Sequence, residues 1–327
     1  MRILVTGGAG FIGSVTVARL IEGGHDVRVF DNLSTGNRRA VHSDAQLIEG
    51  DLHDYERLIR ALDGVEGIVH FAGRISVAES VEKPALYYQV NVGGTQNLLD
   101  AVAAQGNLES FVFSSSAAVY GEPEQTPIDE TSRLRALNPY GETKLVVEDL
   151  VRSYGARFGF AWSALRYFNA AGAEGDFGEH HDPESHLIPN VVDAALGRRS
   201  LTIFGFDYPT ADGTCIRDYI HVSDLADAHV AALERKVTGA FNLGGGRGYS
   251  NLEVIAAVEG AVGHPIDYEK GPRRAGDPAA LVASNEKANA HLEWQAKRDL
   301  AQMAADTLTW REAHPRGYHS AGASNSG

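Results

Sequence analysis

The sequence predicts an α/β protein: a doubly wound parallel sheet joined to a smaller mixed α/β lobe. Short apolar, β-branched runs alternate with helical patterns through the first half of the chain, a glycine-rich turn separates the first run from the first helix, and after about residue 170 the alternation gives way to loops. Strands that are apolar on both faces belong inside a parallel sheet, whose crossovers are helices.

The elements follow in order. Arg2-Ile3-Leu4-Val5-Thr6 is the first strand. A helix then runs through Phe11, Ile12, Val15, Val17 and Leu20 and stops at Gly23-Gly24, where a glycine can take the left-handed cap. Further strands are Val27–Phe30, Gln46–Glu49, Gly67–His70, Phe111–Phe113 and Trp162–Tyr167, with helices over Tyr55–Leu62, Val92–Ala104 and Pro139–Phe158. Gly172 to Pro189 is rich in Gly, His, Asp and Glu, Gly205 to Thr214 reads as a long turn, and Asp218 to Phe241 returns to a strand, helix, strand pattern. We therefore expect a dinucleotide-binding (Rossmann) unit over 1–169, rejoined by about 216–243, a substrate lobe over 170–215 and 244–319, and a frayed tail over 320–327.

Composition limits the function. The chain has 327 residues, and its charged (22%) and hydrophobic (43%) fractions are those of a globular protein that buries a large core. Lys and Arg total 29 against 43 Asp and Glu, a net charge of −14 that repels nucleic acid and anionic bilayers, so neither is an expected partner. One cysteine, Cys215, forms no internal disulfide, and Met1 runs straight into a strand without an apolar leader; the expected location is cytoplasmic. Cys215 has no base partner in sequence and reads as a packing residue, and His70 and His221, at the ends of apolar runs, read as core histidines. His180-His181 with Asp176, Glu179 and His186 match no strong metal-ligand spacing, and no metal is expected.

Gly7, Gly10 and Gly13 in Gly7-Gly8-Ala9-Gly10-Phe11-Ile12-Gly13 lie between strand and helix, where a pyrophosphate approaches the helix N-terminus. Asp31, at the tip of the second strand beside Asn32, can accept both adenosine ribose hydroxyls and repels a 2′-phosphate, which favours NAD over NADP. Asp51-Leu52 and Phe71-Ala72-Gly73 also fall at strand ends, placed for adenine and ribose.

Tyr140 and Lys144 stand four apart on one helix face. A phenol titrates near ~10, and a base working near neutrality needs its anion stabilised; one positive charge at ~4 Å supplies ~4 kcal/mol at an effective dielectric of ~20, about three pKa units. Lys144 and the nicotinamide cation together offer that shift, and Ser116, at the end of the Phe111–Phe113 strand, can hydrogen-bond the same reacting oxygen.

The glycine loop, Ser114-Ser115-Ser116-Ala117-Ala118-Val119-Tyr120-Gly121, Tyr140-Gly141-Glu142-Thr143-Lys144 and Arg166-Tyr167-Phe168-Asn169 together resemble the extended short-chain dehydrogenase/reductases. The segments 204–210, 212–222 and 272–277 look like the UDP-glucose 4-epimerase branch, so the resemblance spans nearly the whole chain. It implies that Tyr140 takes the proton of the sugar 4-hydroxyl while the C4 hydride passes to NAD, that the 4-keto sugar turns over on its diphosphate tether, and that hydride returns to the other face. It also implies cofactor contacts from Asn91, Ser114, Tyr167 and Phe168, and UDP-hexose contacts from Asn169, His186, Leu187, Phe204, Arg217, Arg274, Asp277 and Leu281. A homodimer is implied as well, through 92–104 and 139–158, although those apolar faces could equally pack on the sheet.

Three positions depart from the family pattern. Arg74-Ile75 replaces a Lys near the cofactor phosphates, with Arg74 as its substitute; His186 stands where some relatives have Asn; and Leu281 stands where some have Tyr and those accepting N-acetylated sugars have a smaller residue. The expected substrates are UDP-glucose and UDP-galactose, with weaker action on the N-acetyl pair. A nucleotide-sugar dehydratase needs an acid/base pair where this chain has Ala117 and Ala118. A uronic acid epimerase stays open, and a non-catalytic NAD-binding regulator would have no use for Ser116, Tyr140 and Lys144 together.

Overall fold

The computed structural model describes residues 1–273 and 277–318. Arg274 and the expected tail 320–327 lie outside the described residues. In chain order the first half runs β1 (Arg2–Thr6), α1 (Phe11–Glu22), β2 (Asp26–Asp31), β3 (Gln46–Glu49), α2 (Tyr55–Ala61), β4 (Gly67–His70), α3 (Val77–Glu82), α4 (Pro84–Tyr87), α5 (Gly94–Gln105), β5 (Ser110–Ser116), α6 (Pro139–Phe158) and β6 (Ala161–Tyr167). The second half runs β7 (Asn169–Ala171), β8 (Ala173–Glu174), β9 (Phe177–Gly178), α7 (Leu187–Ala195), β10 (Thr202–Phe204), β11 (Ile216–His221), α8 (Val222–Glu234), β12 (Gly239–Leu243), β13 (Gly248–Ser250), α9 (Asn251–Val262), β14 (Glu269–Gly271), β15 (Ala280–Leu281), α10 (Glu286–Leu292) and α11 (Leu300–Ala313).

The fold class agrees with the sequence reading. The large sheet is parallel throughout, in the order β12-β6-β5-β4-β1-β2-β3, so the winding reverses between β1 and β4. The strict alternation of side chains along β1 feeds two cores: Ile3 and Val5 pack with α1 and α8, and Leu4 packs on the other face with α5 and α6. Leu98, Leu99, Ala101 and Val102 of α5 are all consumed by that second core, because both faces of a parallel sheet need covering.

The return of the chain to the large sheet differs from the sequence reading in one respect. β11, grouped there with the return, is the centre of the small sheet, paired with β7, β13 and β15. Its flanking residues Ile216 and Arg217 have partners on both sides, so it is filled before it could join β6; α8 and β12 make the return instead. Ala288, Leu292 and Trp294, beyond 244, also pack into the first core. The small lobe has its own core, built by Val191, Ile203, Tyr219, Val254, Val258 and Met303. The helix expected from Val92 starts at Gly94, preceded by a π-helical stretch over Tyr88–Gly93. Helix α6 matches expectation: Asn138 caps its start by accepting from Gly141 N at 2.9 Å, Pro139 opens it, and Gly159 ends it in the left-handed conformation. Among the described residues no helix is long and apolar enough to cross a membrane.

Candidate active site

The loops after β1 and β4 meet at the point where the winding reverses. Gly7 has φ +71, and a Cβ there would come 2.5 Å from Ala72 N. A Cβ on Gly13 would overlap Gly7 O, so this glycine lets α1 close on the loop. Gly10 is different: a Cβ would meet within the chain only Gly7 O, at 3.3 Å. The fold itself makes no demand there, and the missing side chain leaves room on the outer side of the loop. Gly10 also opens α1 without a side-chain cap or an acidic first turn, so the amides of Phe11, Ile12 and Gly13 face no competing carboxylate. This cradle fits a dinucleotide diphosphate.

Asp31 ends β2, nearly buried, with one oxygen accepting from Ala9 N (3.0 Å) and the other from Leu33 N (2.8 Å). Burial pushes its carboxyl up and the two amides pull it partway back. Each oxygen keeps a lone pair, which suits a vicinal diol. Asn32 donates to Asp51 (2.7 Å), and His53 donates from its backbone to the same carboxylate (2.9 Å). Burial acts to raise Asp51, but these hydrogen bonds outweigh it and hold the group below its ordinary value. Leu52 packs inward behind Asp51. The amide of Asn91 is used within the chain: it accepts from Arg74 N (2.7 Å) and donates to Arg74 O and Thr143 Oγ1 (both 3.1 Å). It therefore ties down the segment that follows Phe71-Ala72-Gly73, from a place within the π-helical stretch. Arg74 spends its guanidinium on Glu79 (2.8 Å).

The three consecutive serines at the end of β5 serve different partners. Ser114 O accepts from Lys144 Nζ at 2.7 Å, and its hydroxyl bonds the Tyr167 hydroxyl. Ser115 donates to Glu148 (2.5 Å), which also takes both Nε and Nη2 of Arg166 (2.9 and 2.6 Å). Ser116 accepts from Ala118 N and stands where it lowers the Tyr140 phenol. Tyr140, Lys144 and Glu148 follow one another at successive turns on the buried face of α6. Burial raises the Tyr140 phenol, and Ser116 pulls it partway back. The Lys144 ammonium donates to Ser114 O and stands 5.7 Å from the centre of the phenol ring. Burial brings Lys144 down to about 8, against a raising influence of Glu148. Glu148 went unread in the sequence, although its i, i+4 spacing from Lys144 was a usable signal, and its pairing with Arg166 was not foreseen.

His70, beneath this site, is held at both ring nitrogens by Thr6 (2.6 Å) and Thr95 (2.8 Å), and burial lowers it to about 3. His221 is likewise held, by Ser223 N and Asp306. Cys215 is buried beside Asn251. Tyr167 sets its ring at 58° to that of His229, with the centroids 6.0 Å apart, and Phe168 packs with Ala117 and Tyr120.

Across the sheet ends, the small lobe supplies the cations. Arg217 on β11 lies in register with Leu281 of β15 and pairs with Asp277. Asn169 on β7 donates to Asp218 O at 2.8 Å, tying β7 to the same strand. Phe204 ends β10 against Gly271, where a Cβ would come 2.7 Å from its ring. His186 precedes α7, with Leu187 as the first helical residue, and its Nδ1 bonds buried Glu179. Glu179, His181, Glu184 and His186 bring one ligand atom each within 4.8 Å of one another, whereas Asp176 and His180 stand outside this group. Burial acts to raise Glu179, but the two imidazoles outweigh it and hold it far below the carboxylate range. His181 rises to about 10 because its carboxylate partners outweigh burial. Arg311 reaches Glu184 at 2.8 Å, so the carboxylates are balanced by cations of the chain itself.

Comparison with known proteins matches residues 3–244 to the NAD dependent epimerase/dehydratase family. The chain belongs to that family. A UDP-glucose 4-epimerase of Corynebacterium glutamicum is 51% identical over 318 residues, 96% of each chain. Among solved structures, the UDP-glucose 4-epimerase of Brucella ovis in complex with NAD is 45% identical with a TM-score of 0.91, covering 94% of this chain and 97% of that one. That of Bifidobacterium longum in complex with NAD+ and UDP is 38% identical, with a TM-score of 0.92 over 97% of this chain and 100% of that one. The family match stops just past β12, so Asp277 and Leu281 lie beyond it yet within the span shared with these relatives.

Proposed function

We propose that this chain interconverts UDP-glucose and UDP-galactose by reversible, NAD-dependent inversion at C4 through a transient 4-keto sugar. The observation that carries this is the convergence of Ser116, Tyr140 and Lys144 at the ends of β5 and α6, beside the glycine cradle and facing the Arg217 strand. When bound, NAD would supply the hydride acceptor and donor for C4. Gly7, Gly10, Phe11, Ile12 and Gly13 cradle its diphosphate, Asp31 and Asn32 the adenosine ribose, and Asp51, Leu52 and Phe71-Ala72-Gly73 the adenine side; Ser114, Tyr167 and Phe168 back the reactive end, and Asn91 positions the loop. Tyr140 takes the 4-hydroxyl proton at its phenolic oxygen and gives it back, Ser116 hydrogen-bonds the same sugar oxygen, and the Lys144 ammonium favours the phenolate. A phenol raised by burial needs a nearby cation to ionise near neutrality, which Lys144 and an oxidised nicotinamide, when bound, would supply together.

On the sugar-nucleotide side, Arg217, Asn169 and His186 meet the diphosphate, with Phe204 on the uracil side, Leu187 beside His186 and Asp277 at the ribose; Arg274, which lies outside the described residues, belongs to the same set. Anchoring through the nucleotide leaves the hexose free to turn over. Leu281 leaves more room than a Tyr would, which supports weaker action on the N-acetylated pair. Ala117 and Ala118 cannot exchange protons, which weighs against dehydration. A homodimer is supported by exposed Val77, Val81, Tyr88 and Val146 on and around α3 and α6, since the apolar face of α5 is already used; sedimentation at the mass of a single chain would sink it. The buried lone Cys215 is consistent with a cytoplasmic location. The deciding experiment incubates purified protein with UDP-galactose and no added NAD: UDP-glucose appears without net oxidation, and a requirement for stoichiometric NAD would refute the reading.

A further inference from the structure

Asp218, next to Arg217 on β11, is completely buried and takes part in no salt bridge among the described residues. Its carboxylate accepts backbone N–H groups from two distant segments: Gly245 (2.6 Å) and Gly246 (3.2 Å) in the turn after β12, and Ala283 (3.0 Å) after β15. Gly244 packs against the same carboxylate so closely that any Cβ would overlap it. Asn285 adds a reciprocal pair with Gly244, accepting its N–H (2.9 Å) and donating to its carbonyl (2.7 Å). The joint thus links the last strand of the large sheet to the end of the 277–283 strap. The other end of that strap is held by Arg217, which pairs with Asp277, and Leu281 lies between the two anchors in register with Arg217.

Three donors and no acceptor suit an ionised carboxylate and no other side chain of this size; an amide would turn its own N–H groups onto one of the donors. Burial pushes the group up to about 7 even with the three amides pulling it down. We propose that Asp218 is a positioning residue for the nucleotide sugar: by fixing the 277–283 strap to the end of β12 it sets where Asp277 and Leu281 stand over Arg217. The inference rests on the reading that these three residues contact the substrate.

The test compares the NAD-loaded parent with Asp218→Asn and Gly244→Ala, which disturb one joint from its two sides. Turnover of UDP-galactose gives KM and kcat, calorimetry gives the affinity for UDP, and released nucleotide gives bound NAD. The expected result is a rise of about tenfold in KM and in the dissociation constant for UDP, with kcat and bound NAD within about twofold of the parent. Unchanged KM and UDP affinity, or a loss of kcat and NAD in step with the rise in KM, overturns the proposal. Should Asp218→Asn fail to fold, Gly244→Ala decides by the same criteria. A parent that binds no UDP overturns the substrate reading together with this one, whereas a parent that binds UDP beside insensitive variants overturns this one alone.

Discussion

The two halves of the proposed site are built by different means. At the cofactor end the chain uses backbone: glycines packed against neighbouring main chain at Gly7 and Gly13, helix amides left without a competing acid, and serine and lysine groups tied to the end of β5. At the substrate end it uses ion pairs, with Arg217 on Asp277 and His186 on Glu179. A backbone cradle is formed once the sheet is formed. A paired cation must be shared with, or handed over to, an incoming anion, so the two ends respond to different perturbations.

The sharpest way to break this comparison is at the atom where the two halves meet. Tyr140→Phe removes the proton acceptor and little else, because the ring keeps its buried place on α6. Turnover is expected to fall by about 10²- to 10⁴-fold, with bound NAD and UDP affinity near parental values. Equal losses of turnover and of either affinity would show that the phenol is architectural.

Arg217→Lys probes the substrate half. Lysine keeps the charge but loses the fork that serves Ile216 O and Asp277 together. UDP affinity is expected to drop about tenfold, with NAD content unchanged; a variant that lost NAD instead would erase the division between the halves.

Much of the cofactor half was legible because its residues follow one another along strand, turn and helix, where a spacing rule suffices. Tyr140 with Lys144 obeys the i, i+4 rule, and Asp31 falls at a strand tip. The substrate half was legible only through resemblance, since Arg217 and Asp277 meet across a strand pairing that no local pattern announces. Asp218 was missed for the same reason: its three donors lie after two other strands. β11 was misgrouped because a short, buried strand carries no mark of which sheet it joins. Spacing places Tyr140 and Lys144 on one face without saying which acceptor the ammonium takes; in the fold it is Ser114 O.

The glycine loop offers a smaller effect within the cofactor half. Gly13→Ala sets a methyl against Gly7 O, an immovable backbone atom, and is expected to cost about 1–3 kcal/mol of stability in a denaturant titration. Gly10→Ala meets only one contact, at 3.3 Å, and should leave stability within about 0.5 kcal/mol of the parent while weakening NAD retention. If both variants lost stability alike, the outer face of the loop would be a packing surface and not a cradle.

The mildest perturbation is pH, and it too separates the halves. Lys144 carries its proton below about 8 and loses it above, because burial disfavours the ammonium. The Tyr140 phenol, raised by burial, stays protonated on its own groups across the same range. Going up through 8 therefore removes the charge that favours phenolate without yet supplying phenolate from solvent, and the rate of the saturated enzyme should decline on that alkaline side. One pH unit above the midpoint the ammonium fraction is down about tenfold, and the rate should follow it. UDP affinity should not share this midpoint, since the Lys144 ammonium is held at the end of β5 by Ser114 O. A saturated rate that instead climbs steadily from pH 7 to 10 would mean that the phenol ionises from solvent and that Lys144 only holds Ser114 in place.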